Sequence, residues 1–144
     1  MEEQPPALLV SACLLGVECN HRGRGSPSEK VAALGKTQRL IPVCPEVAGG
    51  LATPRPAAER QPGGRVVTAS GEDVTDFYRR GADHAVALAR AAGVSRAVLK
   101  AGSPSCGCHQ IYDGSHSGVL VQGDGVTAEA LRRAGLEVMS EEDL

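Results

Sequence analysis

The segment Ala7-Leu-Leu-Val-Ser-Ala-Cys13 places an apolar run directly before a cysteine. Such a run is typical of a strand that is buried on both faces of a parallel sheet. A similar order recurs in Arg39-Leu-Ile-Pro-Val-Cys44 and in Arg96-Ala-Val-Leu-Lys100, which Cys106 follows six residues later. In an open parallel sheet, ligands bind beyond the carboxyl ends of the strands. We therefore expect the fold to bring these three cysteines together at one edge of a sheet.

Predicted strands and helices alternate along the rest of the chain, which favours βαβ units in an α/β fold with a mainly parallel sheet. Pro42 predicts an edge position for the second strand. Asp73 is the expected N-cap of the longest helix. Further predicted elements are strands at 65–68 and 136–139, helices at 29–34, 74–92 and 127–134, irregular loops at 53–64 and 101–118, and a solvated tail at 141–143.

The bulk composition limits the class of protein. A chain of 144 residues fits a single domain, residues 1–144, and its 42% of apolar residues suffices for a core. The net charge is −2, and no cluster of Lys and Arg resembles a nucleic-acid footprint. A polynucleotide substrate is therefore not favoured, whereas a small molecule or a single base fits.

No stretch of 18 apolar residues is present, so the sequence predicts no membrane span. The start of the chain, Met1-Glu-Glu-Gln-Pro-Pro6, is acidic where a signal peptide would be basic. We expect a cytoplasmic protein. Five cysteines in a reducing compartment are more often buried, catalytic or metal-bound than paired in disulfides.

Cys13, Cys44 and Cys106 are the candidate metal ligands. Thiolates favour soft metals, above all zinc and iron–sulfur clusters. Three thiolates leave one metal position open, as a catalytic centre requires. Packing in the core would explain Cys13 taken alone, because free cysteine is among the most buried residue types, but the three positions together favour a metal site. The cysteines also allow a zinc site completed by Cys19 or Cys108, or a metal-free redox pair of Cys106 and Cys108.

Four polar residues near these cysteines are candidates for chemistry. Glu46 lies two residues after Cys44 and is the best-placed general acid or base. Ser103 and Ser105 flank Pro104, where a hydroxyl could position substrate or water, although turn formation is the commoner role of serine there. Lys100 ends its strand facing the same region, where it could neutralise an anionic centre. The four histidines are scattered and show no ligand spacing.

On these residues the chain resembles a widespread bacterial family that includes the thiouracil desulfidases. The shared motifs cover nearly the whole chain in order. They are Val10-Ser-Ala-Cys-Leu-Leu-Gly16, Pro42-Val-Cys-Pro-Glu46 with Gly49-Gly-Leu51, Pro54-Arg55, Gly71-Glu-Asp-Val-Thr75, Leu99-Lys100, Ser103-Pro-Ser-Cys-Gly107, Ile111-Tyr-Asp-Gly114 and Gly125-Val-Thr127.

The resemblance implies a Rossmann-like three-layer domain that holds an oxygen-sensitive [4Fe-4S] cluster. In the family, three cysteines bind three irons, and these match Cys13, Cys44 and Cys106. The resemblance further implies conversion of 2-thiouracil to uracil and sulfide, with roles for the residues that match Glu46 and Ser103. The expected partner is a small thiolated nucleobase, and Lys100 and Ser105 are the expected substrate contacts.

The reaction that fits this resemblance is a hydrolytic, redox-neutral desulfuration. The open iron would polarise the thiocarbonyl, and a water activated by Glu46 would attack the carbon. Two segments depart from the family pattern: Asn20-His21 stand where an aromatic is expected, and Ser115-His116 stand where Thr-Phe is common. These differences leave the cluster motifs intact and bear on the choice of substrate.

Overall fold

The structure is a computed structural model that describes residues 6–144. A four-stranded sheet forms the centre of the molecule. The strands are β1 (Ala7–Ser11), β2 (Arg39–Val43), β3 (Ala58–Arg60), β4 (Val66–Thr68), β5 (Arg96–Leu99), β6 (Gln110–Tyr112), β7 (Leu120–Gln122) and β8 (Glu137–Ser140). The helices are α1 (Glu29–Leu34), α2 (Pro45–Ala48), α3 (Thr75–Ala92) and α4 (Val126–Arg133).

The central sheet has the strand order β2-β1-β5-β8, and all three of its pairings are parallel. The predicted α/β class with a mainly parallel sheet is therefore confirmed. Strand β2 lies at an edge, as Pro42 predicts, because proline has no N–H to donate to a second neighbour.

Two apolar layers cover the sheet. Leu9 and Leu99 face a core that includes residues of α3 and α4, such as Ala85 and Leu131. Leu8, Val10 and Val98 face the opposite side, where Val31 of α1 is fully buried. Successive strand residues thus alternate between two cores, which explains why β1 and β5 consist of continuous apolar runs. The result is a three-layer arrangement of helix, sheet and helix.

The structure corrects the prediction that 53–64 and 101–118 are irregular loops throughout. Strand β3 lies in the first segment and pairs with β4, and β6 lies in the second and pairs with β7, both in antiparallel hairpins. Strand β4 matches the strand predicted at 65–68, whereas β3, β6 and β7 have three residues each, which is too short for a visible period of two.

Two smaller predictions also change. The tail 141–143 forms a 3-10 turn capped by Ser140, and the Glu141 carboxylate accepts a hydrogen bond of 2.7 Å from the Ala101 N–H. Helix α3 begins after Val74, and Asp73 reaches across that position to accept from the Thr75 N–H at 2.9 Å.

No helix among residues 6–144 is long and apolar enough to cross a membrane. The expectation that the chain has no signal peptide depended on residues 1–6, of which 1–5 lie outside the described residues.

Candidate metal centre and active site

A cavity of about 430 Å³ opens beyond the carboxyl ends of β1, β2 and β5. It is the place where ligands bind in open parallel sheets. Its polar and sulfur-bearing lining comprises Ser11, Cys13, Cys19, Asn20, His21, Arg22, Ser26, Cys44, Glu46, Arg55, Glu59, Tyr78, Lys100, Ser103, Cys106 and Tyr112. A second, more open concavity over residues 35–40 contains no cysteine.

Cys13 lies in a single 3-10 turn, Ala12–Leu15, that follows β1. The turn ends at Gly16, whose φ of 90° favours glycine. The Cys13 carbonyl accepts hydrogen bonds from the N–H groups of Gly16 at 3.0 Å and Ser26 at 2.8 Å. These bonds fix the backbone of the turn, so the direction in which the Cys13 side chain leaves the sheet is set locally.

Cys44 is the N-cap residue of α2, and Pro45 occupies the first helical position. Helix α2 rests directly on α3 because two glycines remove the side chains between them. A Cβ at Gly49 would lie 1.9 Å from the Phe77 carbonyl oxygen, and one at Gly81 would lie 2.0 Å from the Pro45 carbonyl oxygen. This close approach of two helices sets the position of Cys44.

Cys106 lies in a turn that Ser103 holds. The Ser103 hydroxyl oxygen accepts hydrogen bonds from the N–H groups of Ser105 and Cys106, each at 3.0 Å. The turn packs on the start of α4, where the Thr127 N–H donates to the Ser105 carbonyl at 2.9 Å. Gly125 permits this contact, since a Cβ there would lie 2.4 Å from the Ser105 oxygen.

The three candidate ligands therefore reach one cavity from three distant segments. Burial raises the pKa of Cys13 to about 11, and the neighbouring Cys44 adds to the rise. Burial also raises the pKa of Cys106, an increase to which Cys13 and Cys44 contribute. Cys13 and Cys106 therefore need a nearby positive charge to become thiolates. A bound metal centre supplies it, so this donor set fits one.

The arrangement bears on which kind of metal centre fits. Within residues 6–144, no three Cys, His, Asp or Glu side chains are arranged to hold a single metal ion. A structural zinc ion needs four donors around one centre. A cluster gives each cysteine its own iron and thereby tolerates sulfurs that are farther apart.

Glu46 lies in the first turn of α2, beside these cysteines, and its side chain is 13% exposed. Its Oε2 is 2.8 Å from both Nε and Nη2 of Arg55. Its Oε1 accepts a hydrogen bond of 3.4 Å from the Ser103 hydroxyl. The structure thus brings Glu46 and Ser103 together at the cavity wall, with a buried arginine behind the carboxylate.

Tyr78 of α3 lines the same cavity and is 2% exposed. Burial raises the pKa of Tyr78, and the nearby Glu46 carboxylate raises it further. The phenol therefore stays protonated and can serve as a hydrogen-bond donor beside Glu46. The helical periodicity of the sequence indicates only an apolar, core-facing position for Tyr78.

Lys100 lies on the cavity wall with its side chain 35% exposed. Its Nζ is 3.2 Å from Glu141 Oε2 and donates to the Ala101 carbonyl at 3.2 Å. Its charge favours the thiolate of Cys13, although burial has the larger effect on that pKa. Lys100 is thus held at the site by an ion pair with the C-terminal turn.

Ser105 is the one predicted site residue that the structure sets apart. It is 0% exposed and does not line the cavity. Its hydroxyl shares a hydrogen bond of 2.8 Å with the Thr127 hydroxyl. This position places Ser105 between the Cys106 turn and α4.

The two remaining cysteines differ in location. Cys19 lines the cavity, and burial and Cys44 raise its pKa to about 12. Cys108 lies outside the cavity, where its Sγ is 3.3 Å from an Arg132 nitrogen and donates to the Val138 carbonyl at 3.7 Å. All five cysteines are free, so a Cys106–Cys108 redox pair gains no support from a disulfide.

The two departures from the family pattern also separate. Asn20 and His21 line the cavity, and burial together with Arg22 lowers the pKa of His21. His116 instead packs against β3, where its Nδ1 is 3.6 Å from Glu59 Oε2. Only the first departure therefore reaches the space that a substrate would occupy.

A parallel α/β domain with three cysteines beyond its strand ends and a carboxylate in the same cavity is the arrangement expected of a metal-dependent enzyme whose metal centre is bound by cysteines. The chain belongs to the 2-thiouracil desulfurase family, whose model matches residues 8–143.

Two relatives cover nearly the whole chain. The first is the uncharacterized protein YbbK of Bacillus subtilis (strain 168), 43% identical over 146 residues, with 95% of this chain and 97% of YbbK covered. The second is a solved structure of a [4Fe-4S]-dependent thiouracil desulfidase, TudS, with a TM-score of 0.90 and 49% identity. That match covers 96% of this chain and 93% of TudS.

Proposed function

We propose that this chain is a thiouracil desulfidase that converts 2-thiouracil and water to uracil and hydrogen sulfide. The observation that carries the proposal is the convergence of Cys13, Cys44 and Cys106 on one cavity beside Glu46. Membership of the 2-thiouracil desulfurase family and the 49% identity to TudS support it.

Cys13, Cys44 and Cys106 would hold a [4Fe-4S] cluster, one iron each. When bound, such a cluster supplies one iron with an open position, a Lewis acid for the sulfur of a thiocarbonyl group. Lys100 lies beside Cys13 and offsets part of the negative charge that three thiolates and the cluster sulfides bring. The backbone hydrogen bonds at Gly16 and Ser26 hold the Cys13 turn in place before the metal centre assembles.

Glu46 acts as the general base in this proposal. Its Oε2 is paired with Arg55, whereas Oε1 faces Ser103 and the cavity. Oε1 takes a proton from a water molecule as the water oxygen attacks C2 of 2-thiouracil. A positioned general base contributes on the order of 10² to 10⁴ to the rate. The carbon keeps its oxidation state, because a C–O bond replaces a C–S bond, and the sulfur leaves as hydrogen sulfide after protonation.

Ser103 orients the reacting groups. Two backbone N–H groups occupy its oxygen, so the hydroxyl proton is directed at Glu46 Oε1. That bond holds the carboxylate rotamer and can be exchanged for one to substrate or water. The protonated hydroxyl of Tyr78 is a further donor at the same wall.

The cavity suits a single base. Its volume of about 430 Å³ lies within the range of small-molecule sites. A polynucleotide is not the proposed substrate, since the net charge of −2 offers no electrostatic footprint for one. We place the protein in the cytoplasm because five free thiols and a cluster that oxygen destroys need a reducing compartment.

The test is anaerobic reconstitution with iron and sulfide, followed by an assay of uracil and sulfide formation from 2-thiouracil. Equal amounts of both products with no added reductant support hydrolytic desulfuration. Stoichiometric zinc without acid-labile sulfide in the purified protein would instead favour a zinc-binding domain. A metal-free protein with a reversible disulfide would favour a thiol-redox domain.

A further inference from the structure

The geometry points to Arg55 as a positioning residue that holds Glu46 in its reactive orientation. This inference rests on the proposed function and deepens it, because it names the group through which the general base is set. Arg55 lies in the long segment between α2 and β3, where the sequence indicates no role for it beyond a matching motif.

The guanidinium is fully engaged within the protein. Its Nε and Nη2 both lie 2.8 Å from Glu46 Oε2. Its Nη1 donates to the Ala52 carbonyl at 3.2 Å and to the Thr53 hydroxyl at 3.1 Å. Its Nη2 also donates to the Cys19 carbonyl at 2.9 Å. Every nitrogen of the side chain therefore has an acceptor, and the side chain is only 5% exposed.

This engagement separates two roles that an arginine at a cavity wall can have. A substrate-binding arginine needs a free N–H directed at the ligand, whereas Arg55 has each nitrogen occupied. Its planar fork instead fixes Glu46 through one oxygen and leaves the other directed at Ser103.

Arg55 also connects the general base, Glu46, to the side of the cavity that carries the cysteines. The Cys19 carbonyl accepts from Arg55 Nη2 at 2.9 Å and, while Cys44 is a protonated thiol, from Cys44 Sγ at 3.6 Å. One guanidinium thus spans α2, the segment after β1 and its own loop. Glu46 is thereby tied through Arg55 to the segment that carries Cys19 before substrate arrives, which is the pre-organisation that catalysis requires.

The test is a double-mutant cycle on kcat with Arg55→Met, Glu46→Gln and the double variant, in reconstituted protein. We expect Arg55→Met to lower kcat by about 10²-fold with less than threefold change in KM, since the general base is displaced. In the Glu46→Gln background, the same substitution should change kcat less than about threefold, because the group it positions is already gone. Arg55→Lys should restore part of the lost kcat.

A matched control is Arg80→Met. Arg80 anchors the end of α2 through the Gly49 carbonyl at 3.3 Å and stacks over Phe77 at 4.8 Å, without contact to Glu46. The Arg80→Met substitution should lower the urea midpoint while leaving kcat unchanged. Iron and sulfide content should match the wild type in all variants, which excludes loss of the metal centre as the cause of a low rate.

Equal losses of kcat from Arg55→Met in the two backgrounds would overturn the inference. If Arg55→Met does not fold, the same cycle is run with Arg55→Lys, and additive losses of kcat would likewise overturn it. Failure of the proposed function gives a different result, namely no sulfide from the wild-type protein. In that case the urea midpoints of Arg55→Met, Glu46→Gln and the double variant test the contact between the two side chains. Non-additive changes would support the contact, and additive changes would overturn it.

Discussion

The Ser103 hydroxyl donates a hydrogen bond of 3.4 Å to Glu46 Oε1, although the two residues are 57 positions apart in the chain. The same hydroxyl oxygen accepts from the N–H groups of Ser105 and Cys106. Ser103 therefore links the proposed general base to the turn that carries a proposed cluster ligand. A change in the Cys106 turn should therefore alter the position of the Glu46 carboxylate, and the reverse should also hold.

Ser103→Ala should lower kcat for sulfide release by up to about a hundredfold, because the Glu46 carboxylate loses the contact that orients Oε1. It should also destabilise the cluster-free protein by about 1–3 kcal/mol, since two backbone N–H groups lose their acceptor. Ser103→Thr keeps the hydroxyl and is the control. A wild-type kcat in Ser103→Ala would show that this hydroxyl has no role in the reaction.

Ser105→Ala separates packing from substrate binding. Because Ser105 is buried against Thr127, we expect a loss of about 1–3 kcal/mol in the free energy of unfolding, with KM for 2-thiouracil unchanged. In Ser105→Ala combined with Thr127→Val, both hydroxyls are gone and much of the stability should return. A rise in KM without a loss of stability would restore Ser105 as a substrate contact.

Gly81→Ala tests the close approach of α2 and α3. In an open helix this change would stabilise the protein by about 0.5–1 kcal/mol. Here the new Cβ would lie 2.0 Å from the Pro45 carbonyl oxygen, so we expect a destabilisation of about 1–3 kcal/mol and a lower iron content. Asp83→Ala, at an exposed position of the same helix, serves as the control. Stabilisation of Gly81→Ala would contradict this packing.

Asp73 predicts a pH dependence of stability that is remote from the cysteines. Hydrogen bonds from the Thr75 hydroxyl and N–H, and then Arg65, lower the pKa of Asp73 from 3.8 to about 2. A lowered pKa in the folded state stabilises above pH 3.8, and this stabilisation is lost as the pH falls towards 2. The difference in urea midpoint between wild type and Asp73→Asn should therefore shrink over that range. A constant difference would show that Asp73 contributes no charge-dependent stability.

The cysteine cluster could be predicted from the sequence because apolar runs mark buried strands, and parallel strands end at a common edge. The register of β1 with β2 and β5 then brings Cys13, Cys44 and Cys106 to one cavity. The family motifs added the identity of the metal centre and the roles expected of Glu46 and Ser103. Strand order brings the three strand ends to one edge of the sheet, and the turns that follow them complete the placement.

Several features depend on contacts that no local pattern encodes. The burial of Arg55 requires a carboxylate from α2 and a carbonyl from the segment after β1, both supplied only by the tertiary fold. The two serines beside Pro104 look alike in sequence, yet the turn directs Ser103 to the cavity and Ser105 into the core. The ion pair of Lys100 with Glu141 likewise joins the ends of two neighbouring strands.

The most direct test is the iron and acid-labile sulfide content after anaerobic reconstitution of single cysteine variants. We expect about four irons and four sulfides per wild-type chain, as a [4Fe-4S] cluster requires. Cys13→Ala, Cys44→Ala and Cys106→Ala should each lose most of both, whereas Cys108→Ala, at a thiol outside the cavity, should retain them. Full content in any of the first three, or loss only in Cys108→Ala, would contradict a cluster held by these three residues.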